Sequence, residues 1–462
     1  MLLKKLTLIQ IPFFRRQFSS NLLTTLKERG LISQVSQPED ELLKTLKEAP
    51  QTLKLYSGAD PTAKSLHLGN LVPLMVMLHF YLNGHDVVAL IGGATGKVGD
   101  PSGRKTERQQ MLENIRNDNV TKIQRQQIKF FENGLKYYRN LQKGGVIVSN
   151  KQEEQQPGKI ISENNYNWWK DIKLLDFLST YGRFIKVQSM LSRESVTSRL
   201  ENNKDGLGFN EFAYQILQAF DFYHLNKTYG VNIQLGGNDQ WGNIIAGIDF
   251  IGRTSKAQVY GLTVPLLTTA TGEKFGKSSG NAIFISSKIN TPYDMYQYFY
   301  NVADADVSRF LKIFTLLPIS EIERINDAHY KNPTERLGQR VLAKHVVDLI
   351  HGCGDNAEKI SLILFNDNEL GKLSGKHFIE LFGSCGVLSK VSKEKCLLSV
   401  IMELSNCSKS EARRKLKQGS VYLGLERAKI TNETEELTKF LIDDRVLILR
   451  LGKQKCHIVE MV

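Results

Sequence analysis

Two short stretches far apart along the chain, SLHLGN at 65–70 and KFGKS at 274–278, carry residue types that suit one task, activating a carboxylate with ATP. The first sets a small turn with His67 and Asn70 at what reads as a helix start. Unpaired backbone N–H groups and the helix dipole attract phosphate there. The second sets Lys274 and Lys277 on a Gly-bearing loop, where two ammonium groups can close over the charge that builds on departing pyrophosphate. Neither needs a metal ligand set.

A second constellation lies in a helical pattern near 211–229. Tyr214, Gln218 and Asp221 recur at i, i+4 and i+7, one helix face, while Phe220 and Phe222 point elsewhere. An isolated Asp in a helix is ordinarily a surface charge. Three polar groups on one otherwise buried stripe instead require partners.

Strands and helices must hold these groups. LKLYSG (53–58), DVVALIGG (86–93), VNIQLGG (231–237) and VYGLTVPLL (259–267) read as buried strands, and 69–82 and 211–229 as helices between them. Strands covered on both faces and separated by helices imply a parallel, doubly wound α/β sheet that collects ligands at its carboxyl ends. Tyr56, Gly92, Gly93 and 236–239 fall there. NKQEEQQPGKIISENN (150–165) lacks apolar periodicity and reads as a surface insertion. The tandem Trp168 and Trp169 after it read as aromatic core.

With 462 residues the chain needs several domains. Hydrophobic content of 41% and charged content of 24% are those of a globular protein, and no apolar run is long enough to span a bilayer. The net charge of +13 favours a polyanionic partner such as nucleic acid, with solubility or import as the plainer reading. Five widely spaced cysteines in the last quarter (353, 385, 396, 407 and 456) argue against a disulfide framework and a zinc site, and for a reducing interior. Residues 1–30 contain Lys4, Lys5, Arg15, Arg16 and Lys27 and no acid before Glu28, which resembles a mitochondrial transit peptide. A secretory signal is the alternative. Arg15–Arg16 directly after the apolar stretch, with no small-residue cleavage site, weighs against it.

Beyond 290 the pattern turns helical, and His345 on the 334–352 stripe reads as a satisfied core histidine. Near the end, Ser408 and Glu411 form a capping signal that opens a helix with Ala412 and Leu416 on one side and Arg413, Arg414, Lys415 and Lys417 around the other. This small basic module suits phosphate-backbone contact. A solvated helix face is the alternative.

Several separated blocks together carry a resemblance: LYSGADPTAKSLHLGN, GGATGKVGDPSGRKTER, SMLSRESVTSRL, FAYQILQAFDFYHL, IQLGGNDQWGNI and GEKFGKSSGN. Over roughly residues 30 to 460 the chain resembles the bacterial-type tyrosyl-tRNA synthetases, class I aminoacyl-tRNA synthetases, in a mitochondrial version. The resemblance implies a Rossmann-like catalytic domain (31–288), a helical anticodon-side domain (289–385) and a small α+β RNA-binding domain (386–462) like that of a ribosomal small-subunit protein. The two opening stretches match the HIGH and KMSKS signatures. Asn70 replaces the final His, which is common, and Phe275–Gly276 replaces Met–Ser, a known tyrosyl variant.

By the resemblance, His67, Thr62, Lys274, Lys277 and Ser278 handle the phosphates, with Asn70 near the ribose or phosphate edge. Tyr56 and Asp221 hold the tyrosine phenol, and Asp100, Tyr214, Gln218 and Gln234 hold the ammonium group or line its pocket. Asp60 and Gly69 contact ATP, and Gly237, Asp239 and Gln240 contact the adenylate. Lys409, Arg413, Arg414 and Lys417 would meet RNA. ATP is a substrate accompanied by Mg2+, with no protein-ligated metal. The implied partners are L-tyrosine and tRNA(Tyr), with a homodimer in the mitochondrial matrix and no membrane. A tryptophanyl enzyme is the nearest rival, and Tyr56 with Asp221 favours tyrosine. A non-catalytic RNA-binding protein is the other class, disfavoured because the phosphate and ammonium anchors are all present.

Overall fold

A computed structural model describes residues 22–48, 53–102, 111–147, 156–202, 206–278, 281–364, 366–452 and 455–462. The four expected strands form the centre of a six-stranded sheet. In chain order the strands are β1 (Gln34–Val35), β2 (Leu55–Ala59), β3 (Val87–Ile91), β4 (Ile160–Asn164), β5 (Ile233–Gly237) and β6 (Tyr260–Val264), arranged β1-β6-β5-β2-β3-β4. All neighbours run parallel except β1, which pairs antiparallel with β6. Chain order reverses between β2 and β5, the switch point at which ligands gather beyond the strand ends.

Side-chain alternation sorts the residues between the two faces. Leu55, Val87, Ala89, Ile91, Ile233 and Leu235 pack on one face, against helix Leu71–Leu82 and the long helix Glu113–Lys143. Tyr56, Val88 and Leu90 pack on the other, with Phe220, Phe222 and Leu225 of helix Phe209–Tyr229. Tyr56 is in register with Gln234, so both lie on the face of that helix.

Two expectations are corrected. Ile160–Asn164, within the stretch read as a surface insertion, is the edge strand β4, paired with β3 over its whole length. An edge strand has a neighbouring strand on one side only, and each residue of this one is half-buried, which removes the apolar signature. Residues 150–155 of that stretch lie outside the described residues. Residues 22–30, assigned to the leader, belong to the packed body. Helix Leu22–Glu28 buries Leu23 and Leu26 fully, and the Arg29 guanidinium donates to the carbonyls of Lys312, Thr315 and Leu317 at 2.6–3.0 Å. Residues 1–21 lie outside the described residues.

Beyond the sheet, helices Pro292–Tyr300, Asp304–Phe314, Ile319–Lys331, Leu337–His351, Gly354–Ile363 and Gly375–Ser384 extend the first core continuously. His345 is half-buried there and bonded to the Tyr137 hydroxyl at 2.8 Å, a satisfied histidine as expected. The last unit has its own core. It sets helices Leu397–Ser405 and Lys409–Lys417 against a six-stranded sheet that includes the central pair Val446–Leu451 and Lys455–Met461. Ser408 caps the second helix by accepting the Glu411 N–H. All five cysteines are free thiols, and no described helix is long and apolar enough to cross a membrane.

Candidate active site

His67 precedes a single 3-10 turn, Leu68–Asn70, that runs straight into helix Leu71–Leu82. Its Nδ1 accepts the Gly69 N–H at 3.0 Å, and Asn70 Oδ1 accepts the His67 N–H at 3.0 Å. This reciprocal cap fixes the ring. An accepting Nδ1 puts the proton of the neutral imidazole on Nε2, which is then a donor. Gly69 permits the arrangement, since a Cβ there would lie 2.9 Å from the His67 ring.

The lysine loop is joined directly to this turn. Leu68 donates to the carbonyl of Ile283 at 3.0 Å, Ile285 donates to Leu66 at 2.9 Å, and His67 bridges Phe284. Gly276, at φ +89°, lies so close that a Cβ on it would be 3.1 Å from Leu68 Cβ. Phe275 is buried against Tyr298, Phe299, Phe310 and Phe314. The two departures from the signature thus have structural reasons: one residue anchors the loop and the next allows its close approach. Lys274 is exposed beside this anchor. The backbones of Lys277 and Ser278 pair with Ala282 and Asn281, and their side chains lie outside the described residues.

At the carboxyl ends of β2, β3, β4 and β5 the polar groups gather into two hydrogen-bonded clusters, one around Asp60 and one around Asp100. Asp60 accepts from the Thr95 hydroxyl at 2.9 Å and the Tyr214 hydroxyl at 3.0 Å. Asp100 accepts the Ser102 N–H at 2.9 Å and the Gln240 amide at 2.6 Å. Gln218 donates to Gln240 at 3.2 Å and accepts from Asn243 at 3.1 Å. The polar stripe on helix Phe209–Tyr229 therefore meets the partners it requires. Gly92 leaves room for Asp60, where a Cβ would fall 2.0 Å from its carboxylate. Gln234 is buried, and its Oε1 has no partner among the described residues. Thr62 and Asp239 are exposed at the mouth, with Gly237 half-buried beside them.

Asp221 forms the floor. Asn165 donates to its Oδ2 at 2.9 Å, and the indole nitrogens of Trp168 and Trp169 both donate to Oδ1, at 2.8 and 2.7 Å. Burial pushes its carboxyl up to about 7, opposed by these three donors and reinforced by Asp60. Tyr56 shares the floor with a buried hydroxyl that has no partner among the described residues. Burial, then the Asp221 charge, holds that phenol protonated. Burial does the same to Tyr214, helped by Asp60 and Asp100. Asn165 is fully buried, donates also to Thr95 at 3.0 Å, and accepts the Ala94 N–H at 2.7 Å. It ties the Asp221 floor to the Asp60 cluster.

Asn165, Trp168 and Trp169 were not among the expected site residues. The one signal for them is that a buried indole N–H needs an acceptor. Lys409, Arg413, Arg414 and Lys417 form a separate exposed face on the last unit, where Arg413 pairs with Glu433 at 2.7 Å. Among the described residues no cluster of three or more His, Cys, Asp or Glu is arranged to hold a metal ion.

The class I tRNA synthetase family (W and Y) matches residues 48–365. The mitochondrial tyrosine–tRNA ligase of Saccharomyces cerevisiae is 57% identical over 449 residues, covering 96% of this chain and 89% of that one. Tyrosine–tRNA ligase 1 of Streptococcus thermophilus is 39% identical over 438 residues, 93% of this chain and 97% of the relative. A crystal structure of a C-terminally truncated mitochondrial tyrosyl-tRNA synthetase from Aspergillus nidulans aligns with a TM-score of 0.65 at 33% identity, over 74% of this chain and 94% of that one. The chain belongs to the class I tyrosyl-tRNA synthetases of the mitochondrial type.

Proposed function

We propose that the polar groups at the carboxyl ends of the strands form tyrosyl-adenylate, with the phenol on Asp221 and Tyr56 and the triphosphate between the His67 turn and the lysine loop. The protein is a tyrosine–tRNA ligase of mitochondria. In the first step the tyrosine carboxylate attacks the α-phosphorus of ATP and pyrophosphate leaves. No general base is needed, so the site's work is to align two anions and stabilise growing charge. The tyrosyl group then passes to the terminal adenosine of tRNA(Tyr).

The observation that carries this reading is the floor. A carboxylate and a phenol, both buried, lie close enough for the charge of one to act on the other, and Tyr56 Oη has no partner among the described residues. A substrate hydroxyl satisfies both, whereas phenylalanine would leave them unpaired, a discrimination for which this enzyme family is itself the standing example. Asp100, Tyr214, Gln218 and Gln234 would receive the substrate ammonium group or line its pocket. Asp60 and Gly69 would contact ATP, and Gly237, Asp239 and Gln240 the adenylate. His67, Thr62, Asn70, Lys274, Lys277 and Ser278 would bind phosphate. Their donors, imidazole, amide, hydroxyl and ammonium rather than carboxylate, suit phosphates that already carry Mg2+. That ion would come with the nucleotide and help neutralise the leaving pyrophosphate.

The finer placements are the matrix, where mitochondrial translation needs charged tRNA, and a homodimer. For the dimer the support is a run of exposed apolar side chains, Leu174, Leu175, Val187 and Phe209, of which Leu175 is 78% and Phe209 80% exposed. Helical residues 289–385 would face the anticodon arm, and Lys409, Arg413, Arg414 and Lys417 the tRNA backbone. ATP–pyrophosphate exchange with each aromatic amino acid tests the central assignment. Exchange driven by tyrosine supports it, and exchange driven by tryptophan alone overturns it.

A further inference from the structure

The floor of the slot holds more donors than are needed to attach one carboxylate. A carboxylate offers four lone-pair sites. Two on Asp221 Oδ1 are filled by indole N–H groups and one on Oδ2 by the Asn165 amide, so among the described residues a single site, on Oδ2, is left for a ligand. All three donors are held by further contacts. Asn165 is bonded to Ala94 and Thr95, and Trp168 is stacked on His224 with ring centroids 4.4 Å apart. Trp169 is held by packing, its ring 5.5 Å from Phe177 and 5.0 Å from Phe220, while its N–H makes the shortest of the three bonds.

The groups facing Asp221 make that bond consequential. From β2 comes the neutral Tyr56 hydroxyl, from the loop after β2 the negative Asp60, and from 165–169 one amide and two indoles. On the aspartate's own helix His224 lies behind Trp168, with burial disfavouring its protonation and Glu163 of β4 opposing that. No ammonium or guanidinium among these groups balances the carboxylate. Among the described residues, neutral donors alone oppose the burial that favours its protonated form.

We propose that Trp169 is a positioning residue for tyrosine selection: its indole N–H fills Asp221 Oδ1, favours the carboxylate over the carboxylic acid, and leaves one Oδ2 lone pair for the substrate phenol. The inference rests on the reading that Asp221 receives that phenol. It assigns the second tryptophan of the tandem a role distinct from that of the aromatic core around it.

The test is Trp169→Phe, which retains a ring against Phe177 and Phe220 and removes only the donor. Tyrosine-dependent and phenylalanine-dependent exchange are measured across pH on the same preparation. The expected result is a roughly ten-fold fall in the tyrosine-to-phenylalanine ratio of kcat/KM near neutral pH. The acid limb for tyrosine should also move to higher pH, with KM for ATP unchanged. A ratio is independent of the fraction of protein folded, so partial misfolding does not obscure it. An unchanged ratio and an unmoved acid limb would overturn the inference. Asp221→Asn, run alongside, separates the two levels. If it too leaves the ratio unchanged, the reading of the floor fails. If it collapses the ratio while Trp169→Phe does not, only the role of Trp169 fails.

Discussion

Leu68 donates its backbone N–H to the carbonyl of Ile283 at 3.0 Å. That bond joins the two signature stretches, which are far apart along the chain, because Ile283 in turn donates to Gly276 at 2.8 Å. The turn bearing His67 and the loop bearing Lys274 and Lys277 therefore share one backbone scaffold. Between the two lysines the loop is anchored, with Phe275 packed among aromatic rings and Gly276 against Leu68.

Gly276→Ala tests that scaffold. At φ +89° an alanine pays the left-handed cost, on the order of 1–2 kcal/mol, and its Cβ would meet Leu68 at 3.1 Å. The expected outcome is a raised KM for ATP with KM for tyrosine close to that of the parent, measured by pyrophosphate exchange.

Asp221 gives a pH dependence with a definite sign. Its carboxyl is pushed up to about 7, and the ionised form is the one that accepts a phenol hydrogen. The kcat/KM for tyrosine should fall as pH drops through about 7, and Asp221→Asn should remove that limb. Because the folded value lies above the ordinary carboxylate value, the carboxyl contributes stability at low pH that is lost as pH rises toward 7. Thermal melts of Asp221→Asn should therefore vary less between about pH 4 and pH 7 than those of the parent.

Arg29→Ala should destabilise the protein by about 2–3 kcal/mol in a denaturant titration, since three carbonyls at the end of helix Asp304–Phe314 lose a buried charged donor. Deleting residues 1–30 should reduce soluble folded protein for the same reason, along with loss of the buried Leu23 and Leu26. A truncation that melts like the full chain would contradict the packing described.

On the C-terminal unit, Arg414→Ala with Lys417→Ala should weaken tRNA binding and lower the slope of log K against log salt by about two, leaving tyrosine activation unchanged. Arg413→Ala should cost less, because Glu433 already neutralises its guanidinium. Filter binding across a salt series measures both.

What could be read from the sequence was what local pattern encodes. β2, β3, β5 and β6 are apolar runs because helices cover both their faces, and Tyr214, Gln218 and Asp221 revealed themselves by helical spacing. β4 was missed because a half-buried edge strand needs few apolar residues, and its Ser162, Glu163 and Asn164 look like loop. Residues 22–30 were misread because an acid-free amphipathic segment has the same composition whether it is a leader or a packed helix. What separates the two is the distant carbonyls that Arg29 reaches. Asn165, Trp168 and Trp169 were hidden for a similar reason: their acceptor lies more than fifty residues onward, and only the folded chain brings Asp221 to them.

The most direct measurement is a crystal structure with ATP and tyrosinol, which lacks the attacking carboxylate and so cannot react. The expected density places the terminal phosphates between His67 and the Lys274–Lys277 loop, with the phenol within hydrogen-bond distance of both Asp221 and Tyr56. Phosphates bound away from that turn, or a phenol directed elsewhere than Asp221, would contradict a single site shared by the two signatures.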